Sequence, residues 1–183
     1  MALSDFRDYQ QQITIRKAGL QDASNIVKLG SLVFSLTFGH SVPSYELQAY
    51  LDEAYTIEAI SKDLTNPMKN AIVATDQNHE ILGFAFLTRG TSEPCIENLE
   101  DKVELQRIYV DSTSHGKGIG SLLARSIEEI AKNEGFKNIW LGVWEENHIA
   151  QKAYKRWGYK HVGEHDFEVG SVVQTDYIMV KSL

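Results

Sequence analysis

The chain has 183 residues, 43% hydrophobic and 23% charged, which suits one domain with a substantial core; no apolar run approaches the roughly 20 residues of a membrane span. A formal net charge of −7 at pH 7 argues against nucleic acid as a main partner, because phosphate backbones reward clustered Lys and Arg; it suits a cationic substrate, or solubility alone. One cysteine, Cys95, excludes an internal disulfide, and the polar N-terminus lacks the regions of a secretory signal, so a cytoplasmic setting is expected, with the nucleus left open.

Residues 1–12 read as an extension before a single domain. "ITIRKA" (13–18) alternates and is rich in branched residues, which predicts a strand. "DASNIVKLGSLVFSLTF" (22–38) sets Ile26, Leu29, Val33 and Leu36 at helical spacing. Two further helices are expected at 44–55 and 56–64, with Ser44 and Thr56 as caps. "NAIVAT" (70–75) and "EILGFAFLT" (80–88) form a hairpin candidate, and "KVELQRIYV" (102–110) a third strand after the loop 91–101. Then come a glycine-rich loop, a helix to Asn133 closed by Gly135, a strand at 137–144, a short helix at 147–157, and two closing strands near 159–168 and 172–181. That order is a mixed α/β domain with a central sheet covered by helices.

The glycine loop, "HGKGIG" (115–120), fails the usual nucleotide tests. A P-loop needs Ser or Thr after its lysine, and Gly118 follows Lys117. A dinucleotide fingerprint needs a third glycine where Ser121 or Leu123 stands. The loop nevertheless follows a strand and opens an amphipathic helix striped by Ile119, Leu122, Leu123, Ile127, Ile130 and Ala131. Unpaired N–H groups and a dipole end at such a start suit a diphosphate, with glycines allowing close approach; a tight strand-to-helix turn with no ligand fits equally well.

About thirty residues later stand Asn147, Ala150, Tyr154, Gly158 and Tyr159, the first three near one helical face. A loop of the form Gln/Arg-x-x-Gly-x-Gly/Ala after a strand, followed by Asn-x-x-Ala-x-x-x-Tyr-x-x-x-Gly-aromatic, resembles the GNAT superfamily of acetyl-CoA-dependent N-acetyltransferases. The resemblance covers residues 13–181. Within it, "LQRIYV", "WLGVWEEN", "VGEHDFEVGSVVQTDYIM" and the residues Thr37, Phe38, Tyr50, Leu51, Ala54 and Tyr55 are most similar to polyamine acetyltransferases of the PaiA type and their fungal relatives.

That resemblance implies a mostly antiparallel sheet of about seven strands, helices on both faces, and two middle strands splayed around acetyl-CoA. The pyrophosphate would sit on backbone N–H groups in the segment His115, Gly116, Lys117, Gly118, Ile119, Gly120 and Ser121. The pantetheine arm would lie along Ile108, Tyr109 and Val110, with Asn147 and Ala150 beside it. His115 replaces the family's Gln or Arg, which implies weaker or pH-dependent cofactor affinity. Tyr154 is expected to protonate the departing thiolate, since a phenol holds its proton at neutral pH, and a backbone N–H near Ile108 to polarise the carbonyl. Glu104 is the expected base; Gln106, on the same face, cannot take a proton. Asp176, Glu145 and Glu146 are alternative acids, or seats for a second positive charge. Phe38, Tyr50, Tyr55 and Trp144 would wall the acceptor, with Gln106, Glu145 and Asp176 among its contacts.

Cys95 has no base suggested beside it, and His161 and His165 stand in a predicted strand where they would not converge, so neither a cysteine nucleophile nor a metal is expected. The expected partner is a small-molecule amine acceptor, with neither nucleic acid nor membrane expected; the chain is read as monomer or homodimer. Two alternatives stay open: a protein or peptide N-acetyltransferase, and an acyl-CoA-binding domain without turnover.

Overall fold

The branched and aromatic runs become seven strands of one sheet. The computed structural model describes residues 13–183, and the expected N-terminal extension lies outside the described residues. In chain order the elements are β1 (Thr14–Lys17), α1 (Ala23–Phe38), α2 (Ser44–Ala54), α3 (Ile57–Thr65), β2 (Lys69–Thr75), β3 (Ile81–Thr88), β4 (Lys102–Val110), α4 (Ile119–Asn133), β5 (Asn138–Trp144), α5 (His148–Arg156), β6 (Lys160–Val169) and β7 (Val172–Ser182). The strands lie in the order β1-β2-β3-β4-β5-β7-β6. Every neighbouring pair is antiparallel except β4 and β5. The mixed, mostly antiparallel sheet expected from the sequence is what forms.

Alternation along the central strands feeds two cores. On one face Ile72, Ala74, Ala85, Leu87, Val103 and Leu105 pack under Ile119, Leu123, Ile127 and Ala131 of α4 and Tyr154 of α5. On the other, Ala71, Val73, Phe84 and Phe86 pack under Ile26, Leu29 and Phe34 of α1 and Ile60 of α3. β2 and β3 are covered on both sides, which is why they read as continuous apolar runs.

Two local expectations are corrected. The stripe of α1 is rotated: Leu36 is exposed, while Phe34 is buried. The reason is contact with α2, where the Phe34 ring stacks on Tyr50 at 4.5 Å and Tyr55 lies so close to Gly30 that a side chain there would overlap its ring. Ser44 does not cap α2; Pro43 holds the cap position, and its carbonyl accepts from the Glu46 and Leu47 N–H groups at 3.0 and 3.1 Å. Thr56 does cap α3, accepting from the Ala59 N–H at 3.0 Å.

The entry to α1 is pinned to β1 by charge. Arg16 donates to both oxygens of Asp22 at 2.7 and 2.8 Å, and the Gly19 N–H donates to the same carboxylate at 2.8 Å. The Arg16 hydrogen bond is the main cause holding the Asp22 carboxyl below its ordinary range. Asp22→Ala is expected to lower unfolding free energy by about 2 kcal/mol at neutral pH, as for a lost hydrogen bond to a charged group. Because the folded value is depressed, that contribution is present above the ordinary carboxylate pKa of about 4 and vanishes as pH falls through the folded value. Urea unfolding should therefore separate the two proteins at pH 7 and bring them together in acid.

Candidate active site

The site begins where the sheet stops being a sheet. β4 and β5 pair over three rungs only, Lys102 with Asn138, Val103 with Ile139 and Glu104 with Trp140. Just beyond, β4 carries a bulge: Leu105 faces Leu87 and Arg107 faces Phe86, so Gln106 has no partner of its own on β3. Antiparallel ladders turn alternate residues toward alternate neighbours. Since the Asp111 N–H donates to Leu82 at 2.9 Å, Tyr109 bonds toward β3, while Ile108 and Val110 turn their N–H and C=O groups into the gap. On the far side the Glu145 N–H donates to Thr175 at 2.9 Å, so Leu141 and Val143 bond to β7, and Gly142 and Trp144 face the gap. The Trp144 carbonyl is met by the Gln151 side chain at 3.1 Å and the Asn147 N–H at 2.9 Å. The remaining gap-facing groups suit a ligand that carries amides of its own.

At the open end of β4 the glycine loop starts α4. Gly116 and Gly118 have φ of +75° and +81°, and Gly118 is the left-handed residue at the helix cap. A Cβ added to Gly116 would meet nothing within 4 Å, so this part of the loop is open. The first intrahelical bond runs from Leu122 to Gly118 at 3.0 Å, which leaves the N–H groups of Ile119, Gly120 and Ser121 for an anion. The Lys117 ammonium adds a positive charge to the loop. His115 turns back, its Nε2 lying 3.1 Å from the Val110 carbonyl, so the imidazole meets one of the gap-facing groups.

α5 brings the phenol. Asn147 caps it, its Oδ1 accepting from the Ala150 N–H at 3.1 Å, which leaves the Asn147 amide nitrogen to donate elsewhere. Ala150 packs at the edge of the core. Tyr154 is 9% exposed, edge-on to Trp157 and Tyr159 at 5.6 and 5.8 Å. Burial, then the neighbouring Tyr109 and Asp176, push its hydroxyl above the ordinary phenol range. Trp157 fastens α5 to α4: its Nε1 donates to Ser121 Oγ at 3.1 Å, and its ring would lie 3.5 Å from a Cβ at Gly120.

The opposite face of the sheet carries the acids. Glu104 sits at the last paired rung, and burial raises its carboxyl. Gln106 shares that face, accepting from Thr88 and Lys69, both at 3.0 Å. The bulge adds Arg107, whose guanidinium lies over Tyr55 and Phe86 and donates to Asp63 at 3.2 Å. Asp176 is directly opposite Trp144 on β7 and presses its Oδ2 against Gly142, where a Cβ would sit 3.1 Å away. Burial pushes its carboxyl up to about 6; Glu93 adds to this and His165 opposes it. Phe38 meets Trp144 at 5.1 Å, and Phe34 bridges Phe38 to Tyr50. Burial raises Tyr50 to about 12. Glu145 falls on the α5 side by alternation, away from Asp176, and Glu146 is exposed beyond the strand.

The sequence reading missed Arg107, Gln151, Trp157, Gln174 and the Glu93–His165 pair, 3.2 Å apart. Gln174 was within reach of it, standing two residues before Asp176 and so on its face. Glu93 was not, because an irregular loop delivers it. Among the described residues no three His, Cys, Asp or Glu side chains converge as a metal would need, and no helix is long and apolar enough to cross a membrane. Gly118→Ala is expected to cost about 1–2 kcal/mol through the left-handed backbone, read as a lower thermal midpoint.

Known proteins resemble the chain along most of its length. The model of the Acetyltransferase (GNAT) family matches residues 36–159. An uncharacterised N-acetyltransferase of Mycobacterium tuberculosis is 27% identical over 164 residues, 90% of this chain and 99% of that protein. A spermine/spermidine N(1)-acetyltransferase of Bacillus subtilis is 32% identical over 88 residues, 48% of this chain and 54% of that protein. The PaiA N-acetyltransferase of Thermoplasma acidophilum, solved in complex with coenzyme A, shares the fold with a TM-score of 0.76 at 23% identity, over 93% of this chain and 99% of that one. The family match runs from the last turn of α1 through the glycine loop to Tyr159, so the splayed strands and the phenol fall inside it together: the chain belongs to the GNAT family and is an N-acetyltransferase.

Proposed function

We propose that the chain transfers the acetyl group of acetyl-CoA directly to a primary amine of a small molecule, a polyamine being the expected acceptor. The observation that carries this reading is the row of gap-facing backbone groups at Ile108, Val110 and Gly142, flanked by a phenol on one face and carboxylates on the other. Acetyl-CoA, when bound, supplies the acetyl group already activated as a thioester. Ile108, Val110 and Gly142 would pair with the amides of its pantetheine arm, with the Asn147 amide nitrogen as a further donor. Gly116, Gly118 and the N–H groups of Ile119, Gly120 and Ser121 would hold its pyrophosphate.

Two proton tasks remain for side chains. Tyr154 holds its proton at neutral pH, since burial keeps its hydroxyl above the ordinary range, and can give it from the phenol oxygen to the departing sulfur. Glu104 and Asp176 are the carboxylates able to take one from the acceptor. A small acceptor is favoured over a peptide by the closure of the acceptor face. Gln174 donates to Ser41 Oγ at 2.6 Å, and Ser171 donates to Glu46 through Oγ at 2.7 Å and N at 3.0 Å, joining the β6–β7 turn to the helices above. Similarity over half the length of a spermine/spermidine acetyltransferase supports the polyamine class.

A thiol-release assay with acetyl-CoA against polyamines, amino acids and short peptides tests the acceptor. Spermidine is expected to rank above peptides; the reverse order would sink the polyamine assignment, and no thiol release with any amine would favour an acyl-CoA-binding protein. Tyr154→Phe should lower kcat by about 100-fold or more while CoA binding, measured by calorimetry, stays near wild type.

A further inference from the structure

Among the described residues, two buried oxygens of the acceptor face have no hydrogen-bond donor, Oδ1 of Asp176 and Oε1 of Gln174. Gln174 is 7% exposed, so its side chain is more than nine-tenths buried. Its amide orientation follows from its neighbour. Ser41 Oγ donates to the Phe38 carbonyl at 2.8 Å, so that hydroxyl can only accept from Gln174, which turns Nε2 toward Ser41 and leaves Oε1 facing away. Asp176 has Oδ2 against Gly142 and Oδ1 without a donor. An unmet buried acceptor is costly, and two on one strand face call for a ligand rich in N–H groups.

Position agrees with that chemistry. Residues 174 and 176 share a face of β7, with Cα atoms about 6.7 Å apart. Roughly four methylenes between two nitrogens span a similar distance at ordinary bond lengths. Gly142, exposed between buried Trp140 and Trp144, leaves an opening beside Asp176, and the Trp144 and Phe38 rings supply an apolar wall for methylenes.

We propose that Asp176 Oδ1 and Gln174 Oε1 are the paired seat of a diamine or polyamine acceptor, Asp176 holding the ammonium to be acetylated and taking its proton, Gln174 holding the next nitrogen. This rests on the acetyl-transfer reading. In the step itself a proton passes from the ammonium nitrogen to the Asp176 carboxylate, leaving a neutral amine with a free lone pair and a neutral carboxyl that later returns the proton to water. Trp144 of β5 and His165 of β6 stand opposite Asp176, and its charge couples to His165, to Glu93 of the loop before β4, to Tyr50 of α2, to Tyr109 of β4 and, across the gap, to Tyr154 of α5. A carboxyl titrating near 6 in that company is ionised at neutral pH and basic enough to be useful.

The test uses the full chain. Calorimetry without acetyl-CoA should show 1,4-diaminobutane binding to wild type and binding about tenfold weaker to Gln174→Leu, the order of a lost hydrogen bond to a charged group, with butylamine unaffected by that change. Asp176→Asn should weaken both ligands. In kcat/KM wild type should show an acid limb near pH 6, and Asp176→Asn should remove it. Gly142→Ala, which crowds Oδ2 without altering charge, should weaken diamine binding in a protein whose circular-dichroism melt shows it folded. Diamine affinity unchanged in Gln174→Leu and Asp176→Asn, or an acid limb that persists in Asp176→Asn, overturns the seat. Wild type that binds diamine but releases no thiol leaves the seat standing and overturns the transfer reading instead.

Discussion

Everything in this site follows from the parting of β4 and β5 after three rungs. A sheet normally hides its backbone polar groups by pairing them, and leaving several of them unpaired in an interior is expensive. The gap persists because each strand is held from its outer side. β4 stays paired with β3 to the end, β5 with β7, and the bulge at Gln106 bends β4 and changes which of its residues look into the gap. Before the bulge the odd-numbered residues face β5; beyond it Ile108 and Val110 do. One extra residue thus aims the two groups that a strand-like ligand would use.

The gap also divides the chemistry by face. α4 and α5 bring the proposed anion seat and a phenol to one side, while the other side carries Glu104, Asp176 and the rings of Phe38 and Trp144. The proposed proton donor and proton acceptors therefore approach the same opening from opposite directions. Burial shifts both the phenol and Asp176 upward, which keeps the proton on the phenol and suits the role proposed for Asp176.

Much of this was legible in the residues. The apolar runs at 70–75 and 80–88 read as a strand pair, and the order of glycine loop, Asn147 and Tyr154 pointed to one half of the candidate site. What pattern could not supply was parity. A strict period of two puts Gln106 beside Glu104 but hides Arg107, because the bulge that adds it to that face is a tertiary event. The stripe of α1 failed for a similar reason: Leu36 is as apolar as Phe34, and only the ring of Tyr50 in another helix decides which one is buried. Glu93 arrives on a loop whose path obeys no period, and its pairing with His165 brings together residues far apart in the chain.

Trp157 gives the two separated sequence signals a common frame. Its indole lies against Gly120 and bonds Ser121 in the first turn of α4, and it meets the Tyr154 ring one turn earlier on its own helix. Loop and phenol are thus bolted to a single bracket rather than carried on independent arms. A displacement of the helix start is passed to the phenol by a rigid aromatic plane, so the proposed phosphate seat at one end and the proposed proton donor at the other share one set of coordinates. A larger residue at Gly120 would be felt first at the indole, and through it at a hydroxyl it never touches.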